Sequence, residues 1–213
     1  SVVKESSTGL NLYQDGQFDD VILTGELAQQ NSDDPDFVTL KESRTSYIEM
    51  NQREADSPFN NENLRKALSY AIDREALVKQ VLGDGSEAST GLIPQNMSFN
   101  PESGKDFVEE TTNNVEFDAD KAKEHWEKAK EELKIDSLSF DLLSDDTDSV
   151  KKVAEYVQGV WKETLGLDVK MTNVPFSVRL DRSNAGDFDV VLGGWGADYQ
   201  DASAVADWSR VTA

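Results

Sequence analysis

Leu138-Ser139-Phe140-Asp141-Leu142, then Val150, Val153, Val157, Val160 and Trp161 at helical spacing up to Gly166, then Leu167-Asp168-Val169-Lys170-Met171: this passage decides the fold. The two outer pieces alternate apolar and polar residues as half-buried strands do, and the middle piece places its apolar residues on one helical face. Strand, helix, strand with a crossover of about a dozen residues is a βαβ unit, which demands a parallel pair and a right-handed crossover. Downstream, a short helix around Ser177 to Asp181 and a turn at Asn184-Ala185-Gly186 lead into Asp187-Phe188-Asp189-Val190-Val191-Leu192, a strand entering a sheet interior. The pattern then changes to Gly193-Gly194-Trp195-Gly196-Ala197-Asp198-Tyr199-Gln200-Asp201. Glycines let another backbone approach closely, Trp195 and Tyr199 offer flat apolar walls, and Asp198 supplies a negative charge. Such a strand end suits an extended ligand with a positive end, whereas the plainer reading makes it a bulge and turn with Trp195 as a core anchor. Ligands of α/β sheets gather at the carboxyl ends of strands.

Upstream of the βαβ unit, Asp118 opens a helix with Ala122, Trp126, Ala129 and Leu133 on one face. The single histidine, His125, lies beside that stripe, and with no second histidine or cysteine it reads as an edge residue rather than a ligand or triad member. Earlier still, Leu64, Ala67, Leu68, Ala71 and Ile72 share one face of a helix that an asparagine at 60 or 61 can cap. A second helix is predicted from a cap at Asp73 through Leu77, Val78, Val81 and Leu82 to Gly83. Thr45 to Asn51 alternates as a strand. In the N-terminal stretch a short helix, a turn at Asp15-Gly16 and a strand at Val21-Ile22-Leu23 are expected, followed by a surface loop from Gln29 to Asp36.

With 213 residues, 37 % hydrophobic and including four Trp, five Tyr and nine Phe, the chain can bury a real core beneath a polar surface. A net charge of −21 repels phosphates and anionic lipid, so nucleic acid is excluded as a partner and cationic ligands are favoured at long range. The absence of cysteine removes disulfides, thiolate metal sites and cysteine nucleophiles, and leaves the compartment open. No apolar run approaches a membrane helix. The carboxylates around residues 33–36 and 145–148 lack the spacing of a calcium loop, and Gly83 to Gly91 lacks the ending of a phosphate loop, so both read as solvated loops without metal or cofactor. The sequence starts with neither methionine nor a signal segment and fits a mature chain or an excised piece.

Two stretches together carry a family likeness. One is Asn51 with Pro58-Phe59-Asn60, Asn63-Leu64-Arg65-Lys66-Ala67-Leu68-Ser69-Tyr70-Ala71-Ile72-Asp73-Arg74-Glu75-Ala76-Leu77-Val78, Gly83 and Ile93-Pro94; the other is Gly186-Asp187-Phe188-Asp189 through Asp201. In this order the chain resembles the extracytoplasmic solute-binding proteins of oligopeptide ABC transporters, family 5. The resemblance implies an α/β architecture, the C-terminal lobe of a periplasmic-binding-protein-like (type II) fold with a mixed sheet flanked by helices. It implies that residues 1–213 are a single α/β lobe, most of the C-terminal ligand-binding one, with the N-terminal lobe absent. The implied protein is a monomeric non-enzyme that binds oligopeptides and hands them to permease subunits, at the cell surface as a lipoprotein or in the periplasm. Carried onto matching positions, Gly194, Trp195, Gly196, Ala197, Asp198 and Tyr199 form the ligand-binding set, with Asp198 accepting the peptide's amino terminus. Arg65 and Asp73 are expected to hold the helix pair. Two departures stand out: Ala202 where proline is usual, which implies a looser turn, and apolar Val190, Val191 and Leu192 where some members carry a basic residue for the peptide's carboxylate. Another solute of the same family and a carboxylate-pair hydrolase using Asp189, Asp198 or Asp201 are the rival readings.

Overall fold

The computed structural model describes residues 6–111 and 116–205. They form, in chain order, α1 (Ser6–Gln14), α2 (Gly25–Gln30), β1 (Arg44–Met50), a 3-10 turn (Pro58–Asn60), α3 (Glu62–Tyr70), α4 (Arg74–Ala76), a π-helical turn (Leu77–Leu82), α5 (Phe107–Glu110), α6 (Ala119–Leu133), β2 (Ser139–Asp145), α7 (Asp148–Leu165), β3 (Asp168–Val174), α8 (Phe176–Ala185) and β4 (Val190–Gly196). The chain divides into two compact units, one of residues 1–40 with 75–88 and one of residues 41–74 with 89–213. Among the described residues no helix is long and apolar enough to cross a membrane.

The larger unit contains the sheet, in the order β1-β4-β2-β3. β2 runs parallel to β3 and to β4, as the βαβ passage predicts, while β1 lies antiparallel to β4 and makes the sheet mixed. One face carries Ile48, Met50, Phe140, Leu142, Val169, Met171, Val190 and Leu192, and α3, α6 and α7 cover it with Leu64, Leu68, Trp126, Val157 and Trp161. The other face carries Leu143, Val191, Phe188 and Val174. There α8 meets β2 through buried Arg179, whose Nε donates to Asp145 Oδ1 at 3.0 Å.

The helices begin and end where their sequences direct. Asn61 Oδ1 accepts from Leu64 N at the start of α3, Asp118 accepts from Asp120 and Lys121 N at the start of α6, and Gly166 and Gly186 close α7 and α8 in the left-handed conformation. The C-terminal end of α3 is buried, so each of its last carbonyls needs a donor. Ala67 O receives Ala71 N, Leu68 O receives Trp161 Nε1 at 2.9 Å, Ser69 O receives Ile72 N and Arg74 Nη1, and Tyr70 O receives Asp118 N. Arg65 donates to the carbonyls of Phe59 and Asn60, and Asp73 O accepts from Tyr156 Oη. Arg65 thus ties α3 to the turn before it, and the Asp73 bond is made by its main-chain carbonyl to α7. His125 is half-buried at the edge of α6, with Nδ1 on Asn63 Oδ1 at 2.8 Å and its ring stacked on Tyr70.

The smaller unit departs from expectation. Val21-Ile22-Leu23 forms no strand, and Ile22 is exposed. A short apolar run becomes a strand only against a partner with free backbone groups, and no described segment pairs with it. Instead the chain turns into α2, which takes Gln29 and Gln30 out of the predicted loop and leaves residues 31–36 as its turn. The predicted second helix is α4 followed by the π-helical turn, because Gly83 N bonds Val78 O, five residues back, at 2.8 Å. Gly83 still ends it with positive φ, and a side chain there would collide with Gln29.

Replacing Trp161 by Phe removes the donor to Leu68 O and leaves a buried carbonyl unpaired beside a small void. Urea unfolding of Trp161→Phe is expected to give a stability lower by about 2–4 kcal/mol; a loss below about 0.5 kcal/mol would show that this hydrogen bond does not secure α3.

Candidate functional site

β4 is an interior strand at its start and a one-sided strand at its end. Its pairing with β2 comprises Leu142↔Val190 and Leu143↔Val191, whereas its register with β1 continues to Arg44↔Gly196. Ala197 N donates to Ser43 O at 2.8 Å and Asn51 N to Asp189 O at 2.9 Å, which sets the phase of the antiparallel ladder. Residues 189, 191, 193, 195 and 197 therefore aim their backbone groups at β1, and Gly194 and Gly196 aim theirs the other way. Beyond Val191 no described strand meets them. Among the described strands none closes that stretch of sheet edge, and Gly194 and Gly196 are its outward-facing positions.

The glycines do more than admit a neighbouring backbone. A methyl group on Gly193 would sit 3.0 Å from the Tyr47 ring, and one on Gly194 would sit 3.1 Å from Arg44 Nη2 and 3.3 Å from Arg44 Nε. Side chains of β1 thus lie across the bare backbone of β4, Tyr47 on one face and Arg44 on the other. Only Gly196 has nothing within 4 Å of such a methyl. None of the three has positive φ, so close packing rather than backbone conformation asks for glycine here.

Trp195 is placed as an anchor. Its indole packs on Met97, Ala204 and Val205, all buried, and Nε1 donates to Ala204 O at 2.9 Å. The half-buried ring fixes the loop that follows β4 instead of standing as a free wall. Tyr199 is exposed, with its hydroxyl 3.2 Å from Ser203 Oγ. Ala197 is half-buried against the same cluster. Asp198 is exposed, and no hydrogen bond or ion pair to another described residue engages its carboxylate.

Sequence reading missed the segment that carries Met97. Asn96, at φ 61, bonds through its amide to the buried Asp106 carboxylate, which also accepts from Val108 N, and Phe99 bridges Asp106. This loop supports the 197–205 turn through Gln200 Nε2 to Asn96 O and Ala202 N to Ser98 Oγ at 3.4 Å. The turn expected to be loose for want of proline is tied by an amide proline does not have. The remaining aspartates are occupied structurally. Asp189 Oδ2 accepts from Asp141 N at 2.9 Å, and Asp201 accepts from Ser203 N and Oγ, which hold its carboxyl below the usual range. Among the described residues no group of three or more His, Asp or Glu could hold a metal ion.

Beneath the edge, burial pushes the Tyr47 hydroxyl up to about 12, with the Glu49 charge adding to it. Burial also raises Glu49, against the opposing pull of Arg53 and Arg179.

The family model described as bacterial extracellular solute-binding proteins, family 5 middle, matches residues 1–212. The dipeptide-binding protein of Lactococcus lactis subsp. cremoris (strain MG1363) is 36% identical over 212 residues, 95% of this chain and 38% of that protein. The periplasmic oligopeptide-binding protein OppA of Salmonella typhimurium is 32% identical over 163 residues, 75% of this chain and 28% of that one. Among solved structures, Listeria monocytogenes OppA bound to peptide superposes with a TM-score of 0.90 at 38% identity, over 97% of this chain and 41% of that one. The pheromone receptor PrgZ gives 0.89 at 44% identity, again over 97% of this chain and 41% of that one. The chain spans about two fifths or less of the length of these relatives.

Two outcomes follow from this packing. Gly193→Ala drives a methyl against the Tyr47 ring and is expected to lower stability by about 1–3 kcal/mol in urea unfolding, while Gly196→Ala changes it by less than about 1 kcal/mol. Equal effects would show that Tyr47 yields freely. Because the folded state raises Glu49 above its unfolded value, stability falls as pH rises from the ordinary carboxylate range through that raised value, and the penalty persists above it. Glu49→Gln is therefore expected to have the higher urea midpoint at pH 7, with the difference shrinking toward pH 4. An unchanged or reversed difference would contradict the sign.

Proposed function

The chain belongs to the bacterial extracellular solute-binding proteins of family 5, and from that premise we propose that it is part of the ligand-binding C-terminal lobe of a peptide receptor of an ABC transporter. The observation that carries the reading is the edge at Gly194 and Gly196, which no described strand pairs, beside the exposed carboxylate of Asp198, which no described residue engages. A peptide laid along that edge completes the ladder with its own backbone, so affinity comes from groups every sequence has. Its amino terminus is the cation that Asp198 lacks. Trp195 and Met97 hold the turn that carries Asp198, and Tyr199, exposed beside it, covers the first ligand residue.

In this reading residues 1–213 form most of one lobe of a longer protein, and a second lobe closes over the ligand. Contacts to both lobes stabilise the closed state, and no bond is made or broken. The protein works as a monomer outside the cytoplasm, lipid-anchored at the cell surface or periplasmic, and delivers its cargo to permease subunits. Oligopeptides are favoured over other solutes because the edge offers a run of backbone rather than a closed pocket. The relatives named for dipeptide and oligopeptide binding, and the peptide-bound Listeria structure, support that class.

Titration of the chain with a short free-amino peptide, followed by amide NMR, is expected to shift Gly194 to Tyr199 with millimolar affinity. Acetylating the peptide, or the change Asp198→Asn, is expected to weaken binding about tenfold. Shifts centred elsewhere, or equal affinity for the acetylated peptide, would overturn the assignment.

A further inference from the structure

Asp106 is a carboxylate shut away from water, and the peptide reading makes no use of it. The residue is 7 % exposed, and among the described residues no basic side chain pairs with it. A buried charge needs hydrogen bonds to offset its lost hydration, and here the two oxygens go to two different amides. Oδ1 accepts from Val108 N at 3.1 Å and caps α5, while Oδ2 accepts from Asn96 N, ten residues back. A serine would satisfy the cap at less cost. The second bond is what asks for a carboxylate, because an amide side chain would turn its NH2 toward one of the two N–H groups and a hydroxyl has a single oxygen to offer.

The bond to Asn96 closes a hairpin. Phe99 bridges Asp106, and Phe107 N donates to Ser98 O and Asn100 N to Lys105 O, both at 2.8 Å. Asn96 enters the hairpin at φ 61, a conformation uncommon outside glycine. From there three consecutive residues meet the chain after β4. Asn96 O accepts from Gln200 Nε2 at 3.5 Å, Met97 is buried against Trp195, Ala204 and Val205, and Ser98 Oγ accepts from Ala202 N at 3.4 Å. Asp198 stands inside the stretch so gripped, between Trp195 and Ala202.

We infer that Asp106 is a positioning residue for the candidate site: by holding residues 96–98 it fixes the turn that presents Asp198 to the ligand. The inference rests on the peptide reading and adds to it a residue that acts through the turn rather than on the ligand. An exposed carboxylate gains little from a cation when both must be ordered on meeting, and more when the backbone beneath it is already fixed. Trp195 fastens the turn to β4, and the Asp106 hairpin fastens it from a distant part of the chain.

The test is amide NMR of the chain carrying Asp106→Ser, which keeps an oxygen for the Val108 cap and loses the bond to Asn96. Asp106→Asn, of the same size and with one acceptor in place of two, is the second variant. Without ligand, the Trp195 indole N–H and the amides of Ala197 to Ala202 are expected to shift in both variants, while the amides of β2 and β3 stay in place and show the sheet intact. With a short peptide, the unsubstituted chain is expected to favour the free-amino form over the acetylated form about tenfold, and each variant by less than about threefold. A general loss of packing weakens both forms by the same factor and leaves that ratio as it was. In the Asp198→Asn background, Asp106→Ser is expected to change the ratio no further. An unchanged ratio in both variants, or unshifted Trp195 and Ala197 to Ala202 signals, overturns the positioning role and leaves the peptide reading standing. If the unsubstituted chain itself does not distinguish the two peptides, the peptide reading fails and this inference with it.

Discussion

The antiparallel pairing of β1 with β4 is the interaction on which the candidate site depends. A strand has two sides of backbone hydrogen bonds to satisfy, and β4 satisfies them differently along its length. At Val190 and Val191 it lies between β1 and β2; beyond that β2 no longer meets it and β1 alone continues. The ladder with β1 therefore holds the strand extended where its other side is open. Without β1 the sequence Gly193-Gly194-Trp195-Gly196 would have little reason to stay straight, since glycine loses more conformational freedom on ordering than any other residue. An open edge is also a hazard, because it invites pairing with any chain. Here the stretch beyond the β2 pairing is short and flanked by exposed charged residues, Asp198 and Arg44, which limits that risk.

The glycines illustrate how one residue type serves two ends. Gly193 and Gly194 make room for Tyr47 and Arg44 to cross β4, so both are required by packing within the lobe. Gly194 also turns its backbone groups outward, and Gly196 does so with open space around it. Close packing from β1 and access from the opposite side are thus satisfied by the same few atoms. Trp195, set among three glycines, takes the opposite part. Its large ring, held by Met97 and by Ala204 O, converts a flexible stretch into one with a fixed exit angle.

How much of this could be read from the residues alone follows from where the determining contacts lie. The βαβ unit, α3 and α6 were legible because helical spacing, caps and alternation are local, and Asn61, Asp118, Gly166 and Gly186 act within a few residues of where they stand. Asp198 was legible as a negative charge beyond a strand, and it is exposed there. What was not legible depends on partners distant in the chain. Val21-Ile22-Leu23 has a strand's composition but no paired neighbour. The π-helical turn at 77–82 keeps the apolar spacing of a helix and differs only in which carbonyl Gly83 N chooses. Met97 lies in a stretch with no periodicity, more than ninety residues before the tryptophan it supports.

The net charge sets a second constraint on the ligand. A chain at −21 attracts cations from a distance, but with a screening length of about 8 Å at physiological salt that field fades quickly and says little about what remains bound. Recognition is decided by charges a few ångströms from the ligand, where solvent is partly excluded. At this edge the exposed Asp198 carboxylate is a local charge of the same sign as the global one. The global and local charges therefore act in the same direction, both favouring a cationic group over an anionic one at the end of β4.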